Sequence, residues 1–174
     1  MKYNSPFVVL CTVVLLILGG FAPELLRADT VADSVDDWSG TGEQGANGWS
    51  YGYYNLTEDG NNSYSADEFI EFEAAHWRGE GWRLTPSNCP WTFIAQEGVH
   101  PNGTNSCPGE EHWPIRRWTS DIAGAVEVTW HTREVNLAGA GVSGLLFHNG
   151  ELVDFAVIAG GDGVGVTRTV DIVL

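Results

Sequence analysis

The sequence predicts an all-β fold, a two-sheet antiparallel sandwich of jelly-roll type, and three observations carry that expectation. The run from Val142 to Ile158 reads as a β-hairpin around Asn149-Gly150, the dipeptide that a two-residue type I′ turn prefers because both positions need φ > 0. Short alternating pieces bounded by Gly, Pro or Asn recur along the chain. Beyond the first 28 residues no window carries a convincing 3.6-residue period, and 20 of the chain's 22 glycines punctuate what is left.

The turn also sets an expected register. Counting outward from His148 opposite Glu151 places Leu146 opposite Val153, Gly144 opposite Phe155 and Val142 opposite Val157, all on a core-facing side. The other side then holds Phe147 with Leu152, Leu145 with Asp154, and Ser143 with Ala156.

The chain begins with Lys2, an apolar run from Phe7 to Phe21, and Leu26-Arg27-Ala28, which together read as a signal peptide cleaved after Ala28. A retained signal anchor is the competing reading, but Gly19, Gly20 and Pro23 break the run short of the ~20 apolar residues a span needs. Export to the periplasm, cell surface or medium follows. Losing Lys2, Glu24 and Arg27 takes the net charge from −15 to −16 and leaves no Lys. So acidic a surface repels phosphate, which argues against nucleic acid and anionic membranes as partners and leaves cations and neutral solutes. Cys89 and Cys107 remain, and an even pair in an exported chain reads as a disulfide.

From Asp29 to Gly48 the chain is an acidic, glycine-rich lead-in arm, and the single sandwich domain runs from Trp49 to Leu174. Trp49 to Tyr54 suits a strand with one aromatic face. Shorter strands are expected at Phe69–Phe72, Trp82–Leu84, Trp91–Ala95 and Ile115–Trp118. Ala125 to Val135 is the longest candidate, with Val126, Val128 and Trp130 facing the core. After the hairpin, Val164 to Leu174 alternates with Val166, Val170, Ile172 and Leu174 in phase.

Two stretches invite a chemical reading. Asp59, Asn61, Ser65 and Glu68 fall at the third, fifth, ninth and twelfth places of a calcium loop, although Thr57 occupies the first place and Asn62 the glycine place. Calcium is the expected cofactor if the loop is a site, and a solvated polar tip is the competing reading. His112-Trp113-Pro114-Ile115-Arg116-Arg117-Trp118 puts an aromatic ring and a guanidinium on each face of an extended strand. An Arg paired with a carboxylate and packed on Trp explains this structurally, whereas a sugar platform explains it functionally. Eight tryptophans sharpen the second reading. Trp77, Trp82, Trp91 and Trp113, with Arg116, are the expected ligand contacts.

Catalysis finds less support. Glu68, Glu71 and Glu73 lie close in sequence, but sequence position does not establish the separation of a glycosidase pair. His76, His100 and His112 lack the close spacing of a metal motif, and no nucleophile elbow surrounds any Ser.

Trp49-Ser50-Tyr51-Gly52-Tyr53-Tyr54-Asn55, His100-Pro101-Asn102-Gly103, Glu111 to Trp118, Gly141-Val142-Ser143-Gly144 and the Asn149-Gly150 hairpin together resemble a recurrent domain of large secreted proteins of planctomycetes and related bacteria. The resemblance spans residues 38 to 174. It implies a jelly-roll, carbohydrate-binding-module-like accessory unit, and brings no catalytic residues with it. Such domains continue past the strand matching Val164 to Ile172 into a further hairpin, so the expectation is a sandwich lacking its last strands, with self-association through the C-terminal edge strand. Function is expected to be non-catalytic glycan binding. The alternatives are a structural or adhesive envelope module without a sugar ligand, and a polysaccharide-degrading enzyme.

Overall fold

Ten strands alternate with loops in the computed structural model, which describes residues 29–86, 89–104 and 109–174. The signal-peptide reading therefore lies outside the described residues. Val31–Leu174 forms one unit and is the part considered below. Its elements are β1 (Trp49–Asn55), β2 (Ile70–Glu71), β3 (Gly81–Arg83), β4 (Phe93–Ala95), β5 (Val99–His100), β6 (His112–Trp118), β7 (Ala125–Thr132), β8 (Gly141–His148), β9 (Glu151–Ala159) and β10 (Val166–Val173). The only described helices are three single 3-10 turns, and none is long and apolar enough to cross a membrane. The chain is all-β, as its alternation predicts. Every pairing is antiparallel.

The strands form four small sheets rather than two continuous ones: β2-β1-β6, β3-β4-β5, β10-β7 and β8-β9. The first two meet over an aromatic core. Tyr51 of β1 stacks on Trp82 of β3 at 6.2 Å between ring centroids, and Phe72 lies nearly parallel to Trp82 at 6.1 Å. Tyr51, Phe72, Trp82 and Ile94 are all within 1 % of full burial, so this cluster excludes water and anchors the N-terminal half.

The arm before β1 is built into this half. Trp38 meets Tyr51 edge-on at 4.6 Å. Gln44 does the work of a paired strand at one position: its Oε1 accepts the Tyr51 N–H, and its Nε2 donates to the carbonyls of Tyr51 and Phe72. The Tyr51 carbonyl also accepts the Phe72 N–H at 3.0 Å, so the carboxamide adds to a backbone link between these two residues.

In the C-terminal half, β7 and β10 present Val126, Val128, Trp130, Val170 and Ile172 inward while Glu127, Thr129, His131 and Asp171 are exposed. This is the alternation read from the sequence. The hairpin β8-β9 packs across them. A Cβ at Gly144 would come within 2.8 Å of the Trp130 ring, so only glycine lets β8 lie this close. β10 pairs with β7 alone among the described strands.

The hairpin departs from its expected register. Asn149 and Gly150 have φ of 53° and 86°, as the type I′ turn requires, and His148 faces Glu151 and Phe147 faces Leu152. The ladder then shifts between Leu146 and Phe147, leaving Val153 without a partner. Beyond the bulge Leu146 faces Asp154, Leu145 faces Phe155, Gly144 faces Ala156, Ser143 faces Val157 and Val142 faces Ile158. One extra residue on β9 exchanges its two faces. Ala156 and Ile158 are buried, whereas Phe155 and Val157, expected in the core, are 57 % and 72 % exposed.

Candidate functional site

One opening lies where the arm crosses the far end of β6. It is a cleft of about 390 Å3, lined by Val31, Asp37, Asn47, Gly48, Trp118, Thr119 and Asp121. Long-range pairing builds it. Trp49 faces Trp118 at the end of the β1–β6 ladder, and Thr119 N–H continues the ladder by donating to the Gly48 carbonyl at 2.9 Å. Gly48 has φ of 79°, and a Cβ there would sit 2.9 Å from Trp118 Nε1 and 2.8 Å from the Thr119 carbonyl oxygen. Glycine is thus what lets the arm pass over the indole.

Hydrogen bonds within the arm fix the polar side of the cleft. Asp37 Oδ2 accepts the Asp33 N–H at 2.7 Å, and the Asp37 carbonyl accepts from Asn47 Nδ2 at 3.1 Å. Asp33 Oδ1 in turn accepts the N–H groups of Val35 and Asp36. Those backbone bonds, Asp36 first, hold the Asp33 carboxyl below its usual range and keep it charged. Asp121 stands exposed on the loop after β6. The lining therefore combines one indole, two carboxylates, one carboxamide and one threonine with Val31 and Gly48, without a cationic group. Such a set can stack an apolar ring face and accept several hydroxyl or amine hydrogens, and its volume falls in the range of small-ligand sites, roughly 300–1,000 Å3.

The residues singled out from sequence do not gather at one place. Trp82 is 1 % exposed and belongs to the aromatic core, so it offers no face to a ligand. Trp77 is half-buried, set edge-on to Trp82 at 5.3 Å, and completes that core beneath Gly42. Trp113 is half-buried against Tyr54 and donates from Nε1 to Glu111 at 3.2 Å. Trp91 is 43 % exposed beside His100, and its N–H is held by buried Asn102 at 2.9 Å. Arg116 has no carboxylate partner among the described residues. Its guanidinium donates to Ser34 Oγ and to the carbonyls of Ser34, Ala95 and Gln96, with Trp38 beneath it at 5.8 Å, and so fastens the arm to the turn after β4. Trp118 is not singled out by the sequence, because most of its partners in the cleft come from residues 31 to 48, which no local pattern connects to β6.

The Asp59–Glu68 loop closes on itself. Asp59 accepts the Tyr54 hydroxyl and the N–H groups of Asn61 and Ser63, and Asn61 Oδ1 accepts Ser63 N–H at 2.6 Å. The Tyr54 hydrogen bond is the main reason the Asp59 carboxyl sits below its ordinary range. Ser65 and Glu68 instead form a capping box on the 3-10 turn Ala66–Glu68. Among the described residues no three His, Cys, Asp or Glu side chains are placed to hold a metal ion. His76, His100 and His112 do not meet: His76 Nδ1 accepts the Glu73 N–H within its own turn, whereas His112 is buried against Thr92. Cys107 lies outside the described residues, and with it the geometry of a Cys89–Cys107 bridge.

The chain matches no protein-family profile, no curated protein and no solved structure.

Proposed function

We propose that the chain is an exported, non-catalytic module that binds glycan in the Trp118 cleft. The observation that supports this reading most is the convergence of an indole with Asp37, Asn47 and Asp121 in an opening of about 390 Å3. Sugar rings offer an apolar face for stacking and a rim of hydroxyls that donate to carboxylate and amide oxygens. With a net charge of −15, the ligand is a neutral or positively charged polysaccharide rather than an acidic one. Exposed Trp91 is the candidate for a second sugar contact.

Affinity electrophoresis through gels containing neutral, amino-substituted and acidic polysaccharides tests the reading. Retardation by a neutral or amino-substituted polymer is expected. Retardation by none of them would remove the glycan reading, and released reducing ends would replace it with a hydrolase. The resemblance to secreted accessory domains supports the same assignment, as does export through residues 1–28.

A Cys89–Cys107 disulfide belongs to this proposal, because it would tie the loops on either side of Trp91 and Asn102 together outside the cell. Alkylation of both thiols without reductant would exclude it. Calcium is left out of the reading, since the oxygens of the Asp59–Glu68 loop already serve one another. An adhesive or structural role is the second reading, and the exposed apolar face of the hairpin favours it.

A further inference from the structure

The bulge at Val153 turns the outward face of the β8-β9 hairpin apolar. Leu145 and Phe155 pair across it, Ser143 and Val157 pair next to them, and Leu152 closes the turn end, with exposures of 38 % to 72 % for the four large side chains. At the opposite end of the hairpin, the β7–β8 loop lies on the β9–β10 loop, with Leu137 over Gly163. These loops add Val135, Leu137 and Val164, which are 74 %, 60 % and 82 % exposed.

We propose that this face is a self-association surface that docks a second copy of the same chain. Two observations choose that occupant. The first is extent: seven large apolar side chains on the hairpin and its adjoining loops are 38 % to 82 % exposed, and such a set supplies the apolar centre that an interface between copies needs. The second is charge. The outward ladder positions Ser143, Leu145, Phe155 and Val157 carry none, and the one carboxylate in the middle of β9, Asp154, points the other way and bonds Trp130. On a chain of net charge −15 this is a place where two copies can meet without burying a carboxylate, and where a basic partner finds nothing to pair with. Long-range repulsion between the copies remains, so added salt should strengthen the dimer.

Sedimentation velocity of the purified protein across a concentration series, at low salt and at 1 M NaCl, reads this directly. The expected result is a reversible monomer–dimer equilibrium that tightens with salt. Phe155→Glu and Val157→Lys, which alter exposed positions with charges of opposite sign, should each weaken it tenfold or more, with an unchanged melting curve at concentrations where the parent is monomeric. A protein that stays monomeric at both salts overturns the proposal. So does a dimer that both variants leave intact, which would move association to another surface such as the β10 edge. A monomer that floats with uncharged phosphatidylcholine vesicles, and loses that through the same variants, would also overturn it and reassign the face to lipid.

Discussion

Trp130 Nε1 donates to Asp154 Oδ2 at 3.1 Å, joining β7 to β9 across the interior of the C-terminal half. Asp154 also receives Arg168 Nη1 from β10 at 3.2 Å, so one largely buried carboxylate serves three strands. Its position inside follows from the bulge, since the uninterrupted register would have turned it outward.

Trp130→Phe keeps an aromatic ring but removes the indole N–H together with part of the packed ring. It should cost about 1.5–3 kcal/mol for the hydrogen bond to a charged acceptor, with a smaller packing loss added. Asp154→Ala should cost more, because it strands the Trp130 N–H and unties Arg168 as well. Urea melts of both variants check the order, and equal losses would show that the carboxylate does not bridge the two sheets.

Glu134 gives a second test. It is 4 % exposed with no cation beside it among the described residues, and Oε1 and Oε2 accept the N–H groups of Gly141 and Gly161 at 3.1 and 2.6 Å. It thus pins the β7–β8 loop to the β9–β10 loop. A Cβ at Gly139 would lie 2.1 Å from its Oε1. Gly139→Ala should therefore destabilise by about 1–3 kcal/mol in the parent and by clearly less in a Glu134→Ala background, as coupled neighbours do. Additive losses in a double-mutant cycle would refute the contact.

Stability should fall on mild acidification. His112 is 1 % exposed, with Nδ1 2.7 Å from Thr92 Oγ1 and Nε2 3.4 Å from Glu110. Burial lowers its pKa from 6.5, while Glu110 and then Glu58 oppose the shift. Because the folded state holds this proton less tightly than the unfolded state, unfolding takes up a proton. Stability is then full above about pH 6.5 and declines below it until the lower folded pKa is passed. His112→Gln should flatten the profile between pH 7 and 5. An equal slope in the variant would assign the titration elsewhere.

The elements were readable where a local rule sufficed. Asn149-Gly150 announces its turn because few other pairs adopt two positive φ values cheaply, and the alternation of β7 spans enough residues to assign its faces. The register of β9 was not readable, since Val153 carries no glycine or turn signal to mark a bulge. Short strands hid their phase too: β3 has three residues, too few to separate a core tryptophan from an exposed one, so Trp82 read as a ligand contact. The cleft was the least accessible feature. It depends on Gly48 and Asn47 bringing the arm over Trp118, a meeting of segments some 70 residues apart in sequence.

In the proposed complex Trp118 presents its indole to a saccharide while Asp37 and Asp121 accept hydrogens from its rim. The most direct measurement is the dissociation constant for whichever neutral or amino-substituted oligosaccharide the gel screen retains, compared among the parent, Trp118→Ala, Asp37→Asn with Asp121→Asn, and Trp82→Phe. Loss of stacking should weaken binding by about 1–3 kcal/mol, a factor of roughly 5 to 150, in Trp118→Ala, with a smaller loss in the double carboxamide variant. Trp82→Phe, confined to the core, should lower the melting temperature and leave affinity unchanged. Unaltered affinity in Trp118→Ala, with the protein still folded, would rule out the Trp118 cleft as the binding site.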